Sequence, residues 1–148
     1  MYKHYEKAQD AFITMMGYWS EELQVGPIVL VVDTKIKDLM AYAAKHKGIQ
    51  YCYFNPKDLS KLSQAEFVAT VFHELAHLKK DVFWETAGKE EAEYQAEKQA
   101  LVWLKRYANR YYDEYVKLMK KDLKNSAYAG RHKAYQKAFE RIKEYRNA

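Results

Sequence analysis

The run His73-Glu74-Leu75-Ala76-His77 constrains this chain more than anything else in it. Two histidines four positions apart close an apolar segment, Phe67 to Phe72. In a helix such positions share one face, so both imidazoles can reach the same metal ion. Glu74 then lies at the edge of that face, placed to take a proton from water that the metal activates. The flanking residues ask for the helix. Ser63-Gln64-Ala65-Glu66 reads as a capping box, which satisfies the first free N–H groups. Phe67, Val71, Leu75 and Leu78 recur at helical spacing, and neither proline nor glycine interrupts them before Lys80.

A chain of 148 residues is one domain's worth and can bury a real core without disulfides. Its lone cysteine, Cys52, sits among Tyr51, Tyr53 and Phe54 and reads as a buried, inert thiol in a reducing compartment. The apolar runs, Pro27 to Val32 and Phe67 to Phe72, are far too short to span a bilayer, and Met1 to Tyr5 shows no signal peptide. The expectation is a cytoplasmic protein with no membrane contact. The net charge of +5 is uneven: residues 105–148 carry 13 Lys and Arg against five Asp and Glu. That stretch reads either as a surface for nucleic acid or an acidic partner, or as the solvated face of amphipathic helices.

Along the chain, Ala8, Phe12, Met15, Met16, Trp19 and Leu23 trace one side of a helix over 5–24, which Gly26-Pro27 ends. Ile28 to Val32 reads as a buried strand. Ile36, Leu39, Met40 and Ala43 fit a short helix closed by Gly48, and Ile49 to Phe54 a second strand ended by Asn55-Pro56. After the motif helix, Asp81 to Gly88 reads as a loop, although Val82, Phe83 and Trp84 are apolar for one. They either line a substrate groove or pack beneath the loop. A helical pattern then runs unbroken from Lys89 to Lys124, and a last helix from about Arg131 to Arg146. The expected architecture is a single α+β domain over 1–148: a small sheet, the motif helix packed on a Glu-bearing helix, a core of about 5–104 and a basic helical extension over 105–148.

Catalytic zinc takes three protein ligands and keeps one position open. His4, His46 and His132 have no supporting spacing, so a carboxylate on the following helix is the better source. Glu85, Glu90, Glu91, Glu93 and Glu97 are the candidates. Ala92, Ala96 and Ala100 form a small-residue stripe that would let this helix approach the motif helix closely. Glu93 heads that stripe; Glu97, one turn on, is the alternative ligand or a partner that hydrogen-bonds a histidine ligand, and Glu91 is a third choice. The acidic cluster also suits a helix N-terminus, which explains Glu90 and Glu91 but not the alanine spacing.

His-Glu-Leu-Ala-His at 73–77, Glu-Tyr-Gln-Ala-Glu-Lys-Gln-Ala at 93–100, and a strand with an Asn-Pro turn before them together resemble the ImmA/IrrE zinc-peptidase family over about residues 27–104. That family pairs His-Glu-x-x-His with a downstream Glu-x-x-Ala-(Asn/Asp)-x-Phe-Ala helix. Here Glu97 stands where Asn or Asp is usual, and Gln99 where Phe is usual. The resemblance implies a zincin-like fold with zinc on His73, His77 and Glu93 and with Glu74 as catalytic base. It implies a short, stand-alone form whose substrate is one regulatory protein, such as a phage or mobile-element repressor. An oxyanion stabiliser is also needed, but 14 tyrosines leave it unknown; Tyr94 and His132 are guesses.

Two other functions fit the residues. A SprT-like peptidase acting near DNA would use the mix of Tyr107, Arg110, Tyr111 and Lys117, but that family takes a third histidine. A non-catalytic binding or inhibitor protein would keep the zincin scaffold and act through its basic helices. Glu74→Gln separates either peptidase from the binding protein.

Overall fold

The computed structural model describes residues 4–36, 39–124 and 133–148. It is a mixed α+β domain, mostly helical, with one three-stranded sheet. The elements run α1 (Tyr5–Glu22), β1 (Ile28–Val32), β2 (Ala41–His46), β3 (Ile49–Phe54), α2 (Pro56–Leu59), α3 (Gln64–Lys80), α4 (Trp84–Ala87), α5 (Lys89–Tyr107), α6 (Asn109–Lys124), α7 (Lys133–Glu140) and α8 (Lys143–Asn147).

The motif helix α3 forms as its sequence asks. Ser63 Oγ accepts from Glu66 N, and Glu66 Oε1 accepts from Ser63 N, which completes the capping box. Twelve of its 17 residues are buried, so it is a central helix and not a surface one. Helix α5 lies antiparallel against it: His77 meets Glu93, His73 meets Glu97, and Phe72 meets Trp103. Ala92, Ala96 and Ala100 are all buried, as the small-residue stripe requires. On the other side Phe12 of α1 joins three elements, its ring 4.6 Å from Phe54 of β3 and 6.1 Å from Phe67 of α3.

The sheet has the order β1-β3-β2, with β1 parallel and β2 antiparallel to β3. Two expectations change here. The short helix expected around residues 36–43 and closed by Gly48 gives way to strand β2. Lys47 and Gly48 both have positive φ and form the two-residue turn of a β2–β3 hairpin, with His46 opposite Ile49. Cross-strand pairing outweighs the helix propensity of the alanines: Tyr42 stacks on Tyr53 at 4.7 Å, and Ala43 faces the buried Cys52. Strand β1, expected to be buried, is an edge strand with Val29 and Val32 exposed.

The helical pattern over 89–124 is broken at Ala108 (φ −139°, ψ 47°), where the Asn109 amide bonds the Lys105 carbonyl in place of the helix ladder. The expected last helix is likewise two, parted at Arg141–Ile142, and the expected loop 81–88 contains the single turn α4. The described residues of 105–148 pack into the domain. Tyr115, Val116, Met119, Phe139, Ile142 and Tyr145 belong to the same hydrophobic core as Phe12 and Phe67. Arg141, one of its basic residues, is engaged within the molecule. It pairs with Glu90 and Glu91 at 2.9 and 3.0 Å and lies 3.9 Å over the Tyr94 ring. No helix among the described residues is long and apolar enough to cross a membrane.

Candidate metal centre

His73 and His77 are buried on α3, their ring centroids 4.9 Å apart, and both face Glu93 of α5. His73 Nε2 lies 2.7 Å from Glu93 Oε2, and His77 Nε2 lies 3.1 Å from Glu93 Oε1. The three side chains offer ligand atoms within 4.8 Å of one another, close enough to hold a metal ion.

Each imidazole is oriented through its other nitrogen. His73 Nδ1 lies 2.8 Å from Glu97 Oε1. His77 Nδ1 lies 2.8 Å from the Val82 carbonyl. That carbonyl is brought back by the helix cap: Asp81 takes a left-handed conformation (φ 55°), and Val82 N donates to the His77 carbonyl. Both Nε2 atoms are thereby left for whatever lies between them and Glu93, the arrangement in which metal-binding histidines are usually held. Glu93 is steadied in turn by Trp84, whose indole N–H donates to Oε1 at 2.8 Å.

Charge and geometry test whether a cation fits. Burial alone would lower the His73 imidazole, but the charge and hydrogen bonds of Glu93 and Glu97 hold it well above its ordinary range. His77 is raised for the same reason, by Glu93 against burial. Burial would raise the Glu93 carboxyl, yet the two imidazoles hold it far below the usual carboxylate range. The carboxylates of Glu93 and Glu97 thus make the centre favour positive charge. Two imidazole nitrogens and a carboxylate oxygen that all lie within 4.8 Å of one another are a donor set that one metal ion can take. The residues fit such an ion.

Glu74 is the second indication. It is buried, the Ala43 backbone N–H of β2 donates to its carboxylate, and Oε1 is the one buried side-chain polar atom without a partner among the described residues. Burial pushes its carboxyl up, partly offset by His73 and His77. An unpaired buried carboxylate oxygen costs stability and asks for a role.

Two cavities of about 280 and 250 Å³ meet at this carboxylate, both lined by Leu39, Glu74 and Tyr135. The first is walled by Met40, Leu62, Met119 and Phe139, the second by Tyr42, Phe83 and Trp84. Of the apolar residues after the motif helix, Phe83 and Trp84 line the second cavity, and Trp84 also hydrogen-bonds Glu93, a contact not anticipated for it.

Of the residues singled out in the sequence, His73, Glu74, His77, Glu93 and Glu97 are brought together. Glu85 lines the second cavity, and Glu90 and Glu91 pair with Arg141 instead. Tyr94 carries Arg141 on its ring and lines neither cavity, and His132 lies outside the described residues. Sequence reasoning missed Trp84 as a partner of Glu93, Tyr115 and Tyr145 as partners of Glu97, and Tyr135.

The fold and this cluster define an α+β protein with a buried two-histidine, one-glutamate centre able to take a metal ion. No protein-family model matches the chain, and neither does any curated protein or solved structure.

Proposed function

We propose that the chain is a zinc-dependent peptidase in which His73, His77 and Glu93 hold the ion and Glu74 is the general base. One observation carries the reading: an unpartnered, buried Glu74 oxygen beside three convergent ligand groups. When bound, zinc would supply Lewis acidity, polarising the scissile carbonyl and making water more acidic. Glu74 removes a proton from the attacking water, and the remaining hydroxide adds to the carbonyl carbon. Glu74 then passes that proton to the amine nitrogen as the C–N bond breaks. The upward push that burial gives its carboxyl suits a group that must both take and return a proton. Tyr135, which lines both cavities and whose ring lies 6.4 Å from His73, is the candidate to stabilise the oxyanion.

The largely apolar and aromatic cavity walls support a polypeptide substrate with bulky apolar side chains on both sides of the cleaved bond. The resemblance of the two motifs supports one regulatory protein, such as a phage or mobile-element repressor, over bulk peptide. A carboxylate third ligand favours this reading over a SprT-like peptidase with a third histidine. The experiment is metal analysis followed by cleavage of a peptide library. Wild-type protein should carry one zinc per chain and cleave. Glu74→Gln should keep the metal and the fold and lose roughly 100-fold or more of its activity. A fully active Glu74→Gln would remove Glu74 from the chemistry, and a wild type that cleaves nothing would leave the scaffold a binding protein.

A further inference from the structure

Glu97 connects the metal centre to a part of the molecule that holds no ligand. It is fully buried. Its Oε1 accepts from His73 Nδ1, and its Oε2 receives two phenol hydroxyls: Tyr115 of α6 at 2.7 Å and Tyr145 of α8. Among the described residues Glu97 pairs with no lysine or arginine. Both tyrosines are buried, with ring centroids 6.4 Å apart. Phenylalanine would fill the same space, so two hydroxyls converging on one carboxylate oxygen from separate helices are more than packing requires.

We propose that Tyr115 and Tyr145 are positioning residues of the metal centre, which hold Glu97 so that it aims His73 and which tie the docking of α8 to retention of the ion. The proposal rests on the metal reading of His73, His77 and Glu93. A glutamate carboxylate can turn about its terminal bonds, and a single hydrogen bond to His73 does not fix it. Two donors on the far oxygen do, because leaving that oxygen unpaired in a buried site is costly. With Glu97 fixed, the His73 ring has one orientation, Nδ1 toward Glu97 and Nε2 toward Glu93. The coupling runs both ways. If docked α8 strengthens metal binding by some factor, the metal strengthens docking of α8 by the same factor.

The test uses the full chain with Tyr115→Phe, Tyr145→Phe and both together, each keeping the ring and losing only the hydroxyl. Zinc affinity is measured by competition with a chelating dye. Each single variant should bind zinc several-fold more weakly, and the double variant roughly 10–100-fold more weakly, as for loss of a group that orients a ligand. Amide hydrogen exchange over residues 143–147 should slow when zinc is added to wild type, and this slowing should disappear in Tyr145→Phe. If zinc affinity is unchanged in the double variant, whatever happens to its melting temperature, the hydroxyls serve packing alone and the proposal fails. Exchange in α8 that is indifferent to zinc overturns the coupling as well. Should Tyr145→Phe not fold, Tyr115→Phe decides by affinity. A wild type that holds no zinc overturns the metal reading itself, a result distinct from either of these.

Discussion

The residues at the centre carry their own pH dependence. Both imidazoles have raised pKa values in the metal-free fold, so their contribution to stability is complete below the unfolded value of about 6.5 and is lost as pH rises through the higher folded values. Glu93 is depressed, so its contribution is present above the unfolded value of about 4.3 and is lost only as pH falls through the folded one. The metal-free centre therefore stabilises the fold most in mild acid. Ligation needs neutral imidazoles, so zinc must displace those protons. Calorimetric titration near neutral pH, in buffers of different ionisation enthalpy, should show at least one proton released per zinc and an affinity that increases with pH. Zinc uptake without proton release would mean the histidines are already neutral. The centre itself was legible in the sequence, since i,i+4 spacing puts His73 and His77 together and an alanine stripe singles out Glu93. The groups that orient the ligands were not. Trp84 meets Glu93 across nine residues, and Tyr115 and Tyr145 meet Glu97 across 18 and 48, separations that no local period encodes.

Among the elements, α1, α3 and the strand around Ile49 agree with their sequence reading, and the segment around Ile28 agrees in being a strand but not in being buried. The failure at β2 is instructive. Ala-Tyr-Ala-Ala has helical spacing, and only the partner strand and the turn at Lys47-Gly48 make it extended. That strand matters to the site because Ala43 N–H holds Glu74. Two glycines should respond to the same substitution with opposite sign. Gly17 lies inside α1 with open space where a Cβ would go, so Gly17→Ala should stabilise by about 0.5–1 kcal/mol. Gly48 also has open space but sits at φ +79°, so Gly48→Ala should destabilise by about 1–2 kcal/mol. Denaturant unfolding of both variants checks the pair. Equal effects would mean that the turn does not hold Gly48 in the left-handed region.

For the molecule as a whole, the sequence suggested a core over about 5–104 with a basic helical extension over 105–148, and the described helices of that extension pack into the same hydrophobic core. Charge dominates residues 125–148 to the eye, but Phe139, Ile142 and Tyr145 are buried. Burying three such side chains is worth roughly 5 kcal/mol or more, comparable to the lower end of a domain's total stability of about 5–15 kcal/mol. Deleting 125–148 should therefore lower the thermal midpoint sharply and weaken zinc binding, and a differential scan with and without zinc measures both. A truncated chain with full stability and affinity would show that the site is self-contained. The bond between Trp84 and Glu93 gives the molecule one more property. Trp19 and Trp103 pack around Phe72, but the third indole touches the carboxylate that any bound ion must claim. An ion taken up at Glu93 should therefore change the emission of Trp84, which would report occupancy without label or added dye.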